Sequence, residues 1–183
     1  SFSEYDFRVY DDPEEMHQAI LRRDAEHGLA RMVAGYAWPW VSKQTKSNRQ
    51  HPVYDIVIGD LAMRWNSVDR DWIASPNSLN EVGSIHTVQG YDLNYAGVII
   101  GPDLRYDPIA GTTYFDRSQY ADRGAKANNR MLGIEFSDDD LRNYVRNIYA
   151  VLLTRGMRGT YVYAVDEPLR DRLKVLFPGA VRA

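Results

Sequence analysis

The chain contains no cysteine, which excludes disulfides and thiolate metal sites and sets a reducing, cytoplasmic location as the expectation. No apolar run approaches the ~18 residues of a membrane helix, and no signal peptide opens the chain, so no membrane partner is expected. Lysine is scarce: Lys43, Lys46, Lys126 and Lys174 are the only four among 22 basic residues. Arginine is the better phosphate fork, although an arginine bias also arises from genome composition. A net charge of -3 provides no overall attraction to nucleic acid and leaves only local patches to do so. Chemical signatures are missing as well. No G-x-S-x-G turn presents a nucleophilic serine, and His17, His27, His51 and His86 show no H-x-x-x-H ligand spacing. No G-x-x-x-x-G-K-[ST] loop is present to cradle phosphates, so the chain alone is not expected to hydrolyse a nucleoside triphosphate.

What is present is ordinary globular material. With 183 residues, 44% hydrophobic and 26% charged, residues 1–183 read as a single domain with a good-sized core. The first residue is Ser1 rather than Met, which suggests a piece of a longer protein.

Alternating aromatic and polar residues from Phe2 to Tyr10 read as a strand, and Asp12-Pro13-Glu14-Glu15 as a helix start with Met16, Ala19 and Ile20 facing inward. That helix runs out near His27-Gly28. Ala30–Trp40 reads as a core strand broken by Pro39, Ser42–Pro52 as an exposed basic loop, and Tyr54–Trp65 as a hairpin. Asn66–Asn80 is a second loop. Arg105–Asn129 is polar and Tyr-rich without clean periodicity, an insertion or mobile segment. Ser137 followed by Asp138, Asp139 and Asp140 is a helix cap with acidic residues in the first turn, not a metal cluster, and no metal site is expected. Leu141, Val145, Ile148 and Leu152 then recur at spacings of four, three and four, a core stripe. Gly156 suits a left-handed C-terminal cap, Thr160–Val165 a strand and Pro168–Phe177 a final helix. This alternation predicts a three-layer α/β domain with a mainly parallel sheet.

The stretch Glu81–Leu104 organises the rest. A short strand leads into the polar turn His86-Thr87-Val88-Gln89-Gly90, and the buried strand Ala96–Ile100 follows, ending at Gly101-Pro102. Polar glycine-containing turns at strand ends are where open α/β sheets place ligands. Gly90 permits positive φ or close backbone approach, Gln89 offers donors and acceptors, and Asp92 can accept from a ribose hydroxyl; the same residues also suit a plain β-turn. His86 can contact a phosphate or serve structurally. Arg155 is the next position along the stripe of Leu141–Leu152, so helix packing would aim its guanidinium. That placement fits stabilisation of a transferring phosphoryl group, or a cation at a helix C-terminus. Trp38, Trp40, Trp65 and Trp72 offer base-stacking surfaces beside Lys43, Lys46 and Arg49, or core packing and loop anchoring.

In combination, SIHTVQGYDLNYAGVII resembles the fifth motif of superfamily 1 helicases and YAVLLTRGMRGTYVY their sixth. With AGYAWPW and DIVIGD, the pattern is similar to a bacterial helicase-like family related to the Schlafen helicase region. The resemblance implies the second RecA-like (P-loop NTPase-type) domain of a two-domain motor. ATP with Mg2+ would be held mainly by an upstream P-loop domain of the same polypeptide, and DNA or RNA would be the partner. It further implies that Arg155 is the arginine finger, that Gln89, Gly90 and Asp92 face the nucleotide, and that His86 and Thr87 contact the nucleic-acid backbone. Ser84 replaces the usual Thr, Asp92 is shorter than the usual Glu, and the fourth-motif arginine has no clear match, Arg31 being only nearby. A catalytically inactive nucleic-acid-binding or partner-docking module is the alternative.

Overall fold

The computed structural model describes residues 5–43, 52–121 and 137–180. Most of the expected basic loop (44–51), the end of the expected insertion (122–129) and residues 2–4 of the first expected strand lie outside these.

The chain opens with β1 (Asp6–Val9) and α1 (Pro13–His27). Asp12 caps α1 by accepting the Glu14 N–H at 2.7 Å, Pro13 fills the first helical position, and Gly28 at φ 68 closes the helix by donating to the Asp24 carbonyl at 2.7 Å. Next, β2 (Ala30–Ala34) is buried at every position. It ends well before Pro39. Gly35 lies so close to Tyr149 that a Cβ would come within 2.6 Å of the phenol oxygen, so the chain leaves the ladder at a packing contact and not at the proline. The hairpin β3 (Ile56–Ile58) and β4 (Leu61–Trp65) turns on Gly59 at φ 57.

The expected loop 66–80 contains two 3-10 turns, Trp72–Ala74 and Ser78–Asn80. Trp72 is fully buried and donates its indole N–H to Glu81 at 2.8 Å. β5 (Glu81–Gly83), a single helical turn α2 (Ile85–Val88) and β6 (Leu93–Ile100) follow. β6 therefore starts three residues before the expected Ala96. The polar Arg105–Asn129 segment begins as a hairpin, β7 (Leu104–Asp107) with β8 (Thr112–Phe115).

α3 (Asp138–Leu153) carries a capping box: the Ser137 hydroxyl accepts the Asp140 N–H at 3.1 Å, and the Asp140 carboxylate accepts the Ser137 N–H at 3.0 Å. Leu141, Val145, Ile148 and Leu152 are all buried, with Tyr149 beside them. Each such burial contributes about 1.5–3 kcal/mol, against about 1 kcal/mol for a cap, so the stripe decides how α3 docks. The end of α3 differs from expectation. Thr154 is its cap, and Gly156, outside the positive-φ region, already begins β9 (Gly156–Ala164). Glycine is required there for another reason: a Cβ would lie 2.1 Å from the Gly159 carbonyl oxygen. α4 (Glu167–Leu176) is followed by a 3-10 turn, Pro178–Ala180.

Among the described residues the main sheet has the order β1-β9-β6-β2-β5-β4-β3, with only β3 antiparallel. Alternation along the strands divides the core. Met32, Tyr95, Ile99 and Tyr161 face α1, whereas Val33, Val98, Ile100 and Val162 face α2, α3 and α4. The fold is a three-layer α/β domain of RecA-like type with a mainly parallel sheet, as the alternation of elements predicts.

Candidate functional site

The turn between β5 and β6 descends one face of the sheet, from the carboxyl end of one strand to the amino end of the other. At the upper end Ser84 precedes α2, and its hydroxyl pairs with that of Thr87 at 2.9 Å. Thr87 is buried by this bond, whereas His86 is exposed. The His86 ring sits 5.7 Å from that of Tyr36, which follows β2. Of the two expected nucleic-acid contacts, His86 presents its side chain to the surface and Thr87 spends its hydroxyl on Ser84.

At the lower end Gln89, Gly90, Tyr91 and Asp92 are all exposed, and Gly90 has φ 87. Three anchors fix this piece. Tyr91 donates its hydroxyl to Asp71 at 2.7 Å, Leu93 is fully buried, and Asn94 binds the carbonyls of His27 and Gly28 at the end of α1. Tyr36, Tyr91 and Asn94 contact this turn or fix its end, and the sequence did not single them out. Only the location of each next to a turn glycine, Gly35 or Gly90, or within the motif itself, hinted at them.

Arg155 lies at the same amino-terminal edge. Leu93 N–H donates to the Arg155 carbonyl at 2.9 Å, so the backbones of the two helicase-like motifs touch. Arg155 lies just beyond α3 rather than in its last turn, and its side chain folds back so that Nε donates to the Val151 carbonyl at 3.2 Å. Among the described residues no carboxylate pairs with this guanidinium and neither Nη is hydrogen-bonded, which leaves planar donors open to an anion. Gln89, Gly90, Asp92 and Arg155 thus share one edge, while His86 and Thr87 lie toward the other end of α2. The ligand rule for open sheets concerns carboxyl ends; only Ser84–His86 obey it, and the Gln89–Asp92 piece faces the opposite edge.

Arg31 is committed elsewhere. Its Nε donates to Ser78, its Nη1 to Asp24 and the Ala30 carbonyl, and its Nη2 to the Ile73 carbonyl, all within 2.9 Å, so it ties β2 to α1 and the loop before β5. Trp65 and Trp72 are core residues, and Trp38 and Trp40 are half-buried. No group of His, Asp or Glu able to hold a metal occurs among the described residues, nor does a helix long and apolar enough to cross a membrane.

The mainly parallel sheet with helices on both faces, and with the β5–β6 turn and the Arg155 segment joined at one edge, defines a RecA-like α/β domain. Residues 1–166 match the Schlafen group 3, DNA/RNA helicase domain family, and the chain belongs to that family. It is also similar to the uncharacterized protein YPL245W of Saccharomyces cerevisiae, 34% identical over 174 residues. That match covers 92% of this chain and 36% of the yeast protein, so the chain spans about a third of its relative. No solved structure matches it.

Proposed function

We propose that this domain is the C-terminal, second RecA-like half of an ATP-dependent DNA or RNA helicase or translocase of the superfamily 1 type. It would work against a P-loop domain of the same full-length polypeptide that holds most of the ATP and Mg2+. The observation that carries the reading is the hydrogen bond from Leu93 to Arg155, which puts Gln89, Gly90, Asp92 and an unpaired guanidinium on one edge. Such an edge has the parts needed to meet a triphosphate presented by another domain. Arg155 offers donors to the charge that develops on the transferring phosphoryl group, Gln89 and Gly90 offer a close polar backbone, and Asp92 offers an acceptor for a ribose hydroxyl. His86, exposed at the far end of α2, would report nucleic-acid contact to that edge through one helical turn.

The test uses the full-length protein. Arg155→Ala should abolish nucleic-acid-stimulated ATP turnover without lowering the thermal unfolding midpoint; turnover equal to wild type rejects the arginine finger. If the full-length sequence has neither a P-loop nor an acidic magnesium motif, the remaining reading is a nucleic-acid-binding or partner-docking module.

A further inference from the structure

A second site lies away from the Arg155 edge. Trp40, Asn66, Asn77 and Glu81 contribute to a cavity of about 270 Å³ at the carboxyl end of β4. This falls below the ~300 Å³ at which pockets for drug-sized ligands begin, so the cavity suits one heteroaromatic ring. Its apolar wall is Trp40, whose ring centre lies 6.0 Å from Trp65. Trp65 in turn lies 5.9 Å from Tyr36, and Tyr36 lies 5.7 Å from His86. A row of rings therefore leads from His86 to the cavity. The Lys43 ammonium stands 4.6 Å from the centre of the Trp40 ring and brings a positive charge to the rim.

The polar wall holds donors in Arg64, Ser67 and Asn77, and beside them two buried acceptors with an oxygen to spare. Asn66 is 2% exposed and gives its amide N–H to the Val68 carbonyl at 3.0 Å. That bond fixes which end of the amide is oxygen, and the oxygen is buried without any hydrogen bond among the described residues. Buried acceptors are almost always paired, and one that is not is a place for a ligand donor. Glu81 is also buried. It accepts from the Ser67 N–H and the Trp72 indole on Oε2 alone, at 3.0 and 2.8 Å, while Oε1 takes no hydrogen bond among the described residues.

We propose that this cavity binds a nucleobase carrying an exocyclic amino group, stacked on Trp40 and donating to Asn66, with Lys43 meeting the adjoining phosphate. The proposal rests on the nucleic-acid reading above but uses none of its nucleotide-facing residues. Adenine and cytosine present an amino donor where thymine presents a carbonyl acceptor, so the unused oxygens favour them over thymine, whose one base donor is N3–H. Aromatic stacking supplies sequence-tolerant affinity and the lysine a salt-dependent share.

The experiment measures fluorescence anisotropy of labelled oligo(dA), oligo(dC) and oligo(dT) with this chain, with free AMP as competitor. Oligo(dA) and oligo(dC) should bind more tightly than oligo(dT), and Trp40→Ala should weaken oligo(dA) binding roughly five- to a hundredfold. Lys43→Ala, at an exposed position, guards against loss of the fold and should lower the salt slope by about one. Competition by AMP identifies a free nucleotide as the ligand, and its failure identifies a strand; both uphold the pocket. Equal affinity for oligo(dT), or variants that bind like the parent, overturns the pocket and leaves the Arg155 reading standing. No binding of any oligonucleotide overturns the pocket, and the Arg155 reading is then decided by ATP turnover of the full-length protein.

Discussion

The backbone N–H of Leu93 donates to the carbonyl of Arg155 across 2.9 Å. This bond couples two segments more than sixty positions apart, and it sits where β6 and β9 begin their shared ladder, at the pair Leu93 and Gly156. The ladder slips between Leu93 and Tyr95, where Gly159 comes opposite. A bulge of this kind bends the strand and increases its local twist. The bond ties the end of the Gln89–Asp92 turn to the backbone of Arg155.

The turn depends on Gly90. At φ 87 an L-residue is strained, and because a Cβ there meets nothing within 4 Å the penalty is purely conformational. Gly90→Ala should destabilise by about 1–2 kcal/mol and lower the melting temperature by roughly 2–8 °C. Gly179→Ala is the control. Its Cβ also meets nothing, its φ is unremarkable, and it should stay within about 0.5 kcal/mol of wild type. Calorimetry that finds the two variants alike would show that the turn does not need its glycine.

Much of this was readable in the chain, and what was not has a physical cause. Local signals held wherever one residue type has one use: Asp12-Pro13 capped its helix, Ser137 and Asp140 formed their box, and the Leu141–Leu152 stripe was buried. The end of α3 was misread because glycine has two uses. Gly156 was expected for its free φ, whereas the structure uses its missing Cβ against Gly159. The strand stop at Gly35 and the engagement of Arg31 were invisible because their partners, Tyr149 and Ser78, are distant in sequence. Gln89, Gly90, Asp92 and Arg155 stand out in the sequence only as candidates, and only the sheet order and the Leu93–Arg155 bond bring them to one edge.

Asp103 and Tyr149 give a second measurable consequence. Burial pushes the Asp103 carboxyl up to about 6, although the Tyr149 hydroxyl donates to it at 2.8 Å and pulls the other way. Since the folded value lies above the unfolded one near ~3.9, the folded protein holds the proton more tightly, and stability falls as pH rises from about 4 to about 6. At about 1.4 kcal/mol per unit, this amounts to about 2–3 kcal/mol. Asp103→Asn removes the titration and carries a pH-independent offset. The stability of wild type minus that of the variant, from urea denaturation, should fall by that amount between pH 4 and pH 7. A flat difference would mean that Asp103 does not titrate in this window.

Asp6 works in the opposite sense. Burial alone would raise its pKa, but hydrogen bonds from Arg8, Tyr161 and Arg23 outweigh that and hold it below the usual carboxylate range. The three donors reach it at 2.7, 2.7 and 2.9 Å and tie β1, β9 and α1 together. A lowered folded pKa contributes stability that is present above the unfolded value and lost as pH falls through the folded one. Asp6→Asn should therefore destabilise by about 1–2 kcal/mol at pH 7, allowing for partial solvent screening. The deficit should shrink in acid. Urea midpoints at both pH values check this, and a deficit of the same size in acid would assign the loss to packing.

The sharpest functional prediction separates charge from shape at Arg155. Its Nε is held by the Val151 carbonyl at 3.2 Å, which leaves both Nη groups as a planar fork. Arg155→Lys keeps the charge but loses the fork, and lysine meets phosphate only as a point charge. In the full-length protein both Arg155→Lys and Arg155→Ala should therefore reduce kcat for nucleic-acid-stimulated ATP hydrolysis, by about a thousandfold or more for a finger acting on the transferring phosphoryl group. Because a finger acts on charge that develops only in the transition state, KM for ATP should change little. Asp92→Ala should behave differently: a ribose contact is made equally before and during reaction, so KM rises while kcat is kept. Steady-state kinetics on the three variants tests the assignment. A lysine variant with wild-type kcat would show that Arg155 serves as a cation at a helix end and not as a phosphoryl-transfer donor.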